Sequence, residues 1–380
     1  MEVLSTDSLE ELRSLFPVTE RYAYLNHAST GPFPTPVVEA MTSMMAQRQW
    51  REDADLGWLD DRVAEVRELV ARLLHATADE IAFVASTSHG LNIVAAGLDW
   101  QAGDNVVCAE TEFPANVYPW LNLRRRGVRV RFAKAREGRI PLESISAQMD
   151  DRTRLVAISF VEFFTGYRND LAAVSELCRR HGALLCVDGI QGLGVLPLDV
   201  NACGVDFLAA HAPKWLLGPC GIGFLYCRSE RLPELDLAMA GWRSVVQQDE
   251  YFSYESDWFP TARRFEIGSL NHLGLAGLGA SLDLLLGVGI ERIEERVLLL
   301  TDRLMVELKR KGYRVITPPG RQERAGIVSF VPGDEDPEEL AARLKGAGVV
   351  VSARGPGIRV SPHFYNSDCE IDALMQALGP

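Results

Sequence analysis

Residues 205–227 read VDFLAAHAPKWLLGPCGIGFLYC. An apolar run, VDFLAA, leads to Lys214 and then to a Gly-Pro turn at Gly218-Pro219, and a second apolar run, GIGFLYC, follows at once. Short apolar runs separated by turn residues predict a strand, a turn that carries the lysine, and a second strand. A lysine between two such runs is poorly solvated. Burial disfavours its ammonium form and lowers the pKa, as an amine that attacks a carbonyl requires. Taken alone, the stretch also fits an ordinary surface lysine on a connecting loop.

Upstream, three strand-like runs each end in polar or aromatic residues. NVVCAE (105–110) runs into Thr111-Glu112-Phe113-Pro114, LVAISF (155–160) into Val161-Glu162-Phe163-Phe164-Thr165-Gly166, and ALLCV (183–187) into Asp188-Gly189-Ile190-Gln191. A fourth, IAFVA (81–85), breaks into Ser86-Thr87-Ser88 ahead of a helix that starts near His89. Hydroxyl residues at a strand-to-helix turn cap the helix and leave backbone N–H groups pointing outward, which suits a phosphate as well as a plain N-cap. Helical segments intervene, notably LAAVSELCRRHG from Leu171. Strands alternating with helices predict an α/β fold with a mostly parallel sheet, whose ligands gather beyond the carboxyl ends of the strands. Ser86 to Ser88, Phe113, Asp188 and Lys214 all fall at or near such ends.

The flanks read differently. Residues 1 to about 20 predict a helix with a stripe of Leu9, Leu12, Leu15 and Phe16. The turn-rich YAYLNHASTGPFPTP follows, and then two amphipathic helices, one from Pro36 and one near residues 60–74. Beyond RFEIGS (264–269), a helix over Leu273–Leu286 and another through Arg296 to Lys311 precede short strands (YRVITP, GIVSFVP, GVVVSA) and a helix at PEELAARLKGAG. These segments predict a large domain over 21–270, a smaller α+β domain over 271–380, and an N-terminal segment (1–20) packed on the smaller one.

With 380 residues, 47% apolar and 24% charged, the chain has the make-up of a globular enzyme. A formal charge of −13 excludes broad nucleic-acid binding. No signal peptide or membrane span is expected, and the seven cysteines, without a CxxC pair, predict reduced thiols in a cytoplasm. Seven scattered histidines give no metal-ligand spacing. The Gly-rich GPCGIG precedes a strand rather than opening a helix, which argues against a nucleotide-binding loop.

A lysine, a strand-ending carboxylate, an aromatic and a hydroxyl-bearing helix start are what pyridoxal 5'-phosphate asks of a protein. In the order in which VDGIQ, PKWLLGPCGIGFLY, RFEIGS and IRVSPHFYN occur, the chain resembles fold-type I pyridoxal-phosphate enzymes of the class V aminotransferase superfamily, from YLNHASTGPFP to the C-terminal region. The resemblance implies a Schiff base with the cofactor on Lys214, a ring-nitrogen partner in Asp188, and Phe113 on the ring face. It implies Gln191 near the ring hydroxyl, and Ser86, Thr87, Ser88 and His211 about the phosphate. It further implies Gly268 and Ser269 reaching the phosphate from a second subunit of a homodimer, Arg359 on the substrate carboxylate, and Asn26 and His27 near the substrate mouth. Arg354 reads either as a second substrate contact or as a solvated loop residue.

Departures from the family pattern bear on the reaction. Pro213 stands where desulfurases usually have a histidine before the lysine, and Phe113-Pro114 where they stack a histidine on the ring. An Asn common in relatives is replaced around Glu162-Phe163-Phe164, and the short ARGPG before Arg359 has no cysteine to form a persulfide. The resemblance therefore implies an enzyme acting on an amino acid or related amine, as aminotransferase, lyase or epimerase, with a tilt to the last two. A cysteine desulfurase or selenocysteine lyase is the alternative, and a non-catalytic cofactor-binding relative the second.

Overall fold

The computed structural model describes residues 6–50 and 57–379. Its helices are α1 (Thr6–Ser14), α2 (Thr35–Trp50), α3 (Gly57–Leu74), α4 (Thr87–Gly97), α5 (Tyr118–Asn122), α6 (Leu142–Ser146), α7 (Leu171–Arg180), α8 (His272–Val288), α9 (Ile290–Arg310), α10 (Pro337–Gly346) and α11 (Asp368–Ala377). The strands are β1 (Ala23–Tyr24), β2 (Ile81–Val84), β3 (Asn105–Ala109), β4 (Arg129–Ala133), β5 (Thr153–Ser159), β6 (Leu184–Asp188), β7 (Phe207–His211), β8 (Gly223–Cys227), β9 (Arg314–Val315), β10 (Val328–Val331), β11 (Val349–Val350), β12 (Ser352–Arg354) and β13 (Gly357–Val360).

The larger sheet has the order β2-β8-β7-β6-β5-β3-β4. Only β8 runs antiparallel to its neighbours β2 and β7; the rest of the sheet is parallel. Alternate residues of each strand feed two apolar layers: Val107, Leu185, Val187, Leu208 and Ala210 on one face, and Val106, Cys108, Cys186, Phe207 and Ala209 on the other. Burial on both faces explains why these strands read as unbroken apolar runs rather than alternating ones. The parallel arrangement brings the carboxyl ends of β3, β5, β6 and β7 to one edge, with the Lys214 turn between β7 and β8.

A second sheet, β12-β13-β10-β9, is antiparallel and shares a core with α9, α10 and α11 through Leu300, Leu304, Phe330, Leu340, Ile358 and Leu374. The N-terminal segment joins this part of the molecule: β1 pairs with β11, and Arg13 donates to the Tyr365 carbonyl and to Glu370. The apolar α8 packs on α2 and α3 within the larger core, although it follows residue 270.

Several elements differ from the sequence expectation. The helix read over residues 1–20 is α1 followed by a single 3-10 turn, Pro17–Glu20, and its first five residues lie outside the described ones. Pro17 has no N–H to continue α1. GVVVSA splits at Val351 into β11 and β12, which serve different sheets. The strands β1, β4 and β13 and the helix α11 carried no clear periodicity. No single helix among the described residues is long and apolar enough to cross a membrane.

Candidate active site

The lysine turn is clamped from several sides. Gly31 N–H donates to the Pro213 carbonyl at 2.7 Å, Gly218 N–H to Ala212 at 3.0 Å, and His363 Nε2–H to the Trp215 carbonyl at 3.0 Å. Trp215 is fully buried and donates its indole N–H to Gln191 Oε1 at 2.8 Å. Two glycines make room for this backbone. A Cβ at Gly31 would fall 2.4 Å from the Lys214 carbonyl oxygen, and one at Gly194, where φ is +100°, would fall 2.4 Å from that of Trp215. The turn is thus rigid before any ligand arrives.

The Lys214 amine has no protein hydrogen bond among the described residues and lies 5.5 Å from the centroid of the Phe113 ring. Burial pushes its pKa down to about 8; Asp188 opposes this, while Arg359 and Arg354 add to it. Asp188 ends β6, is 2% exposed, and accepts one hydrogen bond in its carboxylate, from Ile190 N–H at 3.0 Å. Burial raises it to about 6 against the lowering effects of that bond and of Lys214. The two groups sense one another's charge and leave capacity for a further partner.

Arg359, on β13, is 2% exposed. It donates Nη1–H to the Phe163 carbonyl and Nη2–H to Ser29 Oγ, both at 2.7 Å, while its buried Nε has no partner. Burial, with Arg354 adding to it, brings its pKa down to about 9. Phe163 also meets Phe113 edge to face at 5.3 Å, so one wall carries the Arg359 guanidinium and the aromatic that faces the Lys214 amine. Asn26 presents a buried Oδ1 with no hydrogen-bond partner.

At the start of α4, Ser86 is spent as the N-cap, its hydroxyl accepting from His89 N–H. Thr87 is buried with an unpartnered Oγ1, and Ser88 is exposed. A buried hydroxyl without a partner at a helix N-terminus fits an anion. His211 accepts from Gly221 N–H through Nε2 and, driven first by burial and then by Lys214, falls to about 4, so it is neutral. Gly268 and Ser269 line a cavity of about 180 Å³ with Ala85, His89 and Gly221.

Two of the expected site residues make internal contacts. His27 does not face a substrate mouth: it is fully buried, donates from Nδ1 to the Ser361 carbonyl and accepts from the Tyr365 hydroxyl at 2.6 Å. Gln191 donates one Nε2–H to the Ala28 carbonyl and accepts the Trp215 indole N–H on Oε1, so it steadies the lysine turn and keeps a second N–H for a further partner. Sequence reading missed Ser29, Trp215 and a pair of buried carboxyls. Glu112 accepts from Ser159 and Asn116, and Glu162 from Thr111 and Asn169, with no cationic partner among the described residues. Burial first, and then the neighbouring carboxylates, raises both, Glu162 to about 7.

These residues fit a pyridoxal phosphate: an amine that loses its proton near neutrality, a carboxylate for the ring nitrogen, an exposed aromatic, and an orphaned hydroxyl at a helix start. Comparison with known proteins agrees. A family model for class V aminotransferases matches residues 23–374. A probable cysteine desulfurase of Methanothermobacter thermautotrophicus is 35% identical over 97% of each chain, and a cysteine desulfurase of Salmonella agona is 30% identical over 98% of each. Among solved structures, the apo cysteine desulfurase of Thermococcus onnurineus NA1 superposes with a TM-score of 0.90 at 26% identity, covering 100% of this chain and 98% of its own. The cystine C–S lyase C-DES, in complex with its product cysteine persulfide, has a TM-score of 0.88 at 26% identity, covering 96% of this chain and 98% of its own. These names match the sulfur-lyase alternative drawn from the sequence. The chain belongs to the class V aminotransferase family of pyridoxal-phosphate-dependent enzymes.

Proposed function

We propose that this enzyme is a carbon–sulfur lyase that acts on a sulfur-bearing amino acid, with Lys214 as its catalytic amine. The observation that carries the reading is the Lys214–Asp188–Arg359 arrangement: an amine lowered to about 8, a buried carboxylate beside it, and a buried guanidinium with an unpartnered Nε. The likeness to desulfurases and to a cystine lyase supports the choice of sulfur chemistry.

Thr87 and the N-terminus of α4 would hold the phosphate, with neutral His211 beside them; Asp188 would hold the ring-nitrogen proton and Phe113 the ring face. When bound, the cofactor supplies an electron-poor ring that acidifies the substrate Cα–H. Arg359 orients the substrate through its carboxylate, a task that suits a planar guanidinium fork. Neutral Lys214 takes the Cα proton and can return it, and the buried walls keep water from competing for it. Sulfur leaves with its bonding electrons as a small molecule, because no cysteine occurs between Cys227 and Cys369 and the β12–β13 hairpin holds no thiol.

The same reading makes the protein a cytoplasmic homodimer in which Gly268 and Ser269 of each copy serve the other's phosphate site. Exposed aromatics at Tyr251, Phe252 and Tyr254 support a covered face, since a soluble chain rarely leaves such a cluster bare. The reading also divides the chain into two lobes, with the cleft where the β12–β13 hairpin meets the lysine turn.

Product analysis tests the reaction. Supplied with cysteine or cystine, the loaded enzyme should release sulfide or cysteine persulfide, respectively, together with pyruvate and ammonia, and alkylating the exposed Cys220 and Cys369 should leave that release intact. Keto-acid formation without sulfur release, or interconversion of enantiomers, would overturn the lyase assignment.

A further inference from the structure

The β12–β13 hairpin places a second guanidinium beside the first. Ser352 pairs with Arg359 and Arg354 with Gly357, so residues 352, 354, 357 and 359 share one face of the hairpin. The turn between the strands is only Gly355-Pro356, which keeps Arg354 one step from Arg359 rather than at the far end of an insertion. Both side chains reach the same atom: Ser29 Oγ accepts from Arg359 Nη2 at 2.7 Å and from Arg354 Nη2 at 3.2 Å.

Two like charges on one hydroxyl call for a counter-charge. Arg354 otherwise donates only to its own strand, at the Ala353 carbonyl, and neither arginine has a carboxylate within ion-pair distance among the described residues. Each depresses the proton affinity of Lys214, and Arg354 that of Arg359. The anionic phosphate belongs at the start of α4, a different part of the site. A substrate with one α-carboxylate neutralises Arg359 and leaves Arg354 uncompensated.

We propose that Arg354 and Arg359 form a two-guanidinium recess that favours, among sulfur-bearing amino acids, those that carry a second acidic group at the far end of the side chain, whether a carboxylate as in cystine or an oxidised sulfur, over those such as cysteine that carry none. Arg359 takes the α-carboxylate, its buried Nε supplying the missing donor, and Arg354 takes the far acid at the rim. Ser29 sets the distance between the two. This rests on the site assignment above and narrows its substrate class; the second acid group is recognised, not transformed, by Arg354.

Calorimetric titration of the cofactor-loaded protein, in a chloride buffer free of other oxyanions, tests it with succinate as the two-headed probe and propionate as the one-headed control. Succinate should bind about tenfold more tightly than propionate, as a partly exposed charge-assisted contact allows. Arg354→Gln should abolish that advantage while leaving propionate unchanged, and Arg354→Lys should restore part of it. Equal binding of the two acids by the wild type would overturn the proposal. So would an Arg354→Gln protein that loses both acids equally, because the two arginines would then share one carboxylate. Failure of the lyase assignment shows separately, as an absence of sulfur release, and leaves these binding ratios readable.

Discussion

Asp188 holds its charge against the preference of its surroundings, and replacing it should stabilise the empty protein while disabling the loaded one. Its pKa rises from 3.8 to about 6, so the folded chain favours the protonated form by ~3 kcal/mol relative to the unfolded chain. The sign follows from the direction of the shift. Below pH 3.8 the group is protonated in both states and the folded chain keeps the full benefit. As pH rises towards 6 that benefit is lost, and above 6 the buried carboxylate is ionised at a cost. Asp188→Asn copies the neutral form, so the variant should match the wild type at acid pH and gain up to ~3 kcal/mol above pH 6. Urea unfolding of cofactor-free protein should show about half of that gain at pH 5, inside the titration window, and nearly all of it at pH 8. With pyridoxal phosphate added the order should reverse, because the variant lacks the anion proposed above to hold the ring-nitrogen proton. A cofactor-free Asp188→Asn protein no more stable than wild type at pH 8 would refute the argument that burial sets this carboxylate.

Two further outcomes follow from the same geometry. Gly194→Ala drives a Cβ to 2.4 Å from the Trp215 carbonyl at a φ of +100°, so it should cost about 3 kcal/mol in thermal or denaturant unfolding and loosen the lysine turn. The Lys214 amine of cofactor-free protein should be acylated with a midpoint near pH 8, where the lowered pKa frees the lone pair, whereas solvated lysines follow near pH 10.4. Arg359→Gln should move that midpoint upward only modestly, since burial is the larger cause and one repelling charge the smaller.

The parallel sheet was legible because its strands are buried on both faces and so stand out as apolar runs, from NVVCAE to GIGFLYC. The site was legible in part for a related reason: residues at strand ends, such as Asp188 and Lys214, converge whenever the sheet is parallel. What escaped were contacts across long stretches of chain. Nothing around Gln191 signals that its amide bridges Ala28 and Trp215, and nothing around His27 signals that Ser361 and Tyr365 satisfy both ring nitrogens. The strand β4 was hidden by alternating arginines on a half-exposed sheet edge, and the two-residue β1 exists only because β11 is there to pair with it. Arg354 was undecided in the sequence, and the hairpin register places it on the face that Arg359 occupies.

The central claim is that Lys214 carries the cofactor. Borohydride reduction of the yellow, loaded protein, followed by peptide mapping, tests it directly. The reduced cofactor should be found on the peptide containing Pro213-Lys214-Trp215, and a Lys214→Ala protein should keep its fold but show neither the label nor the visible band of a lysine-bound cofactor. Labelling of another lysine, or an unchanged band in Lys214→Ala, would contradict the account.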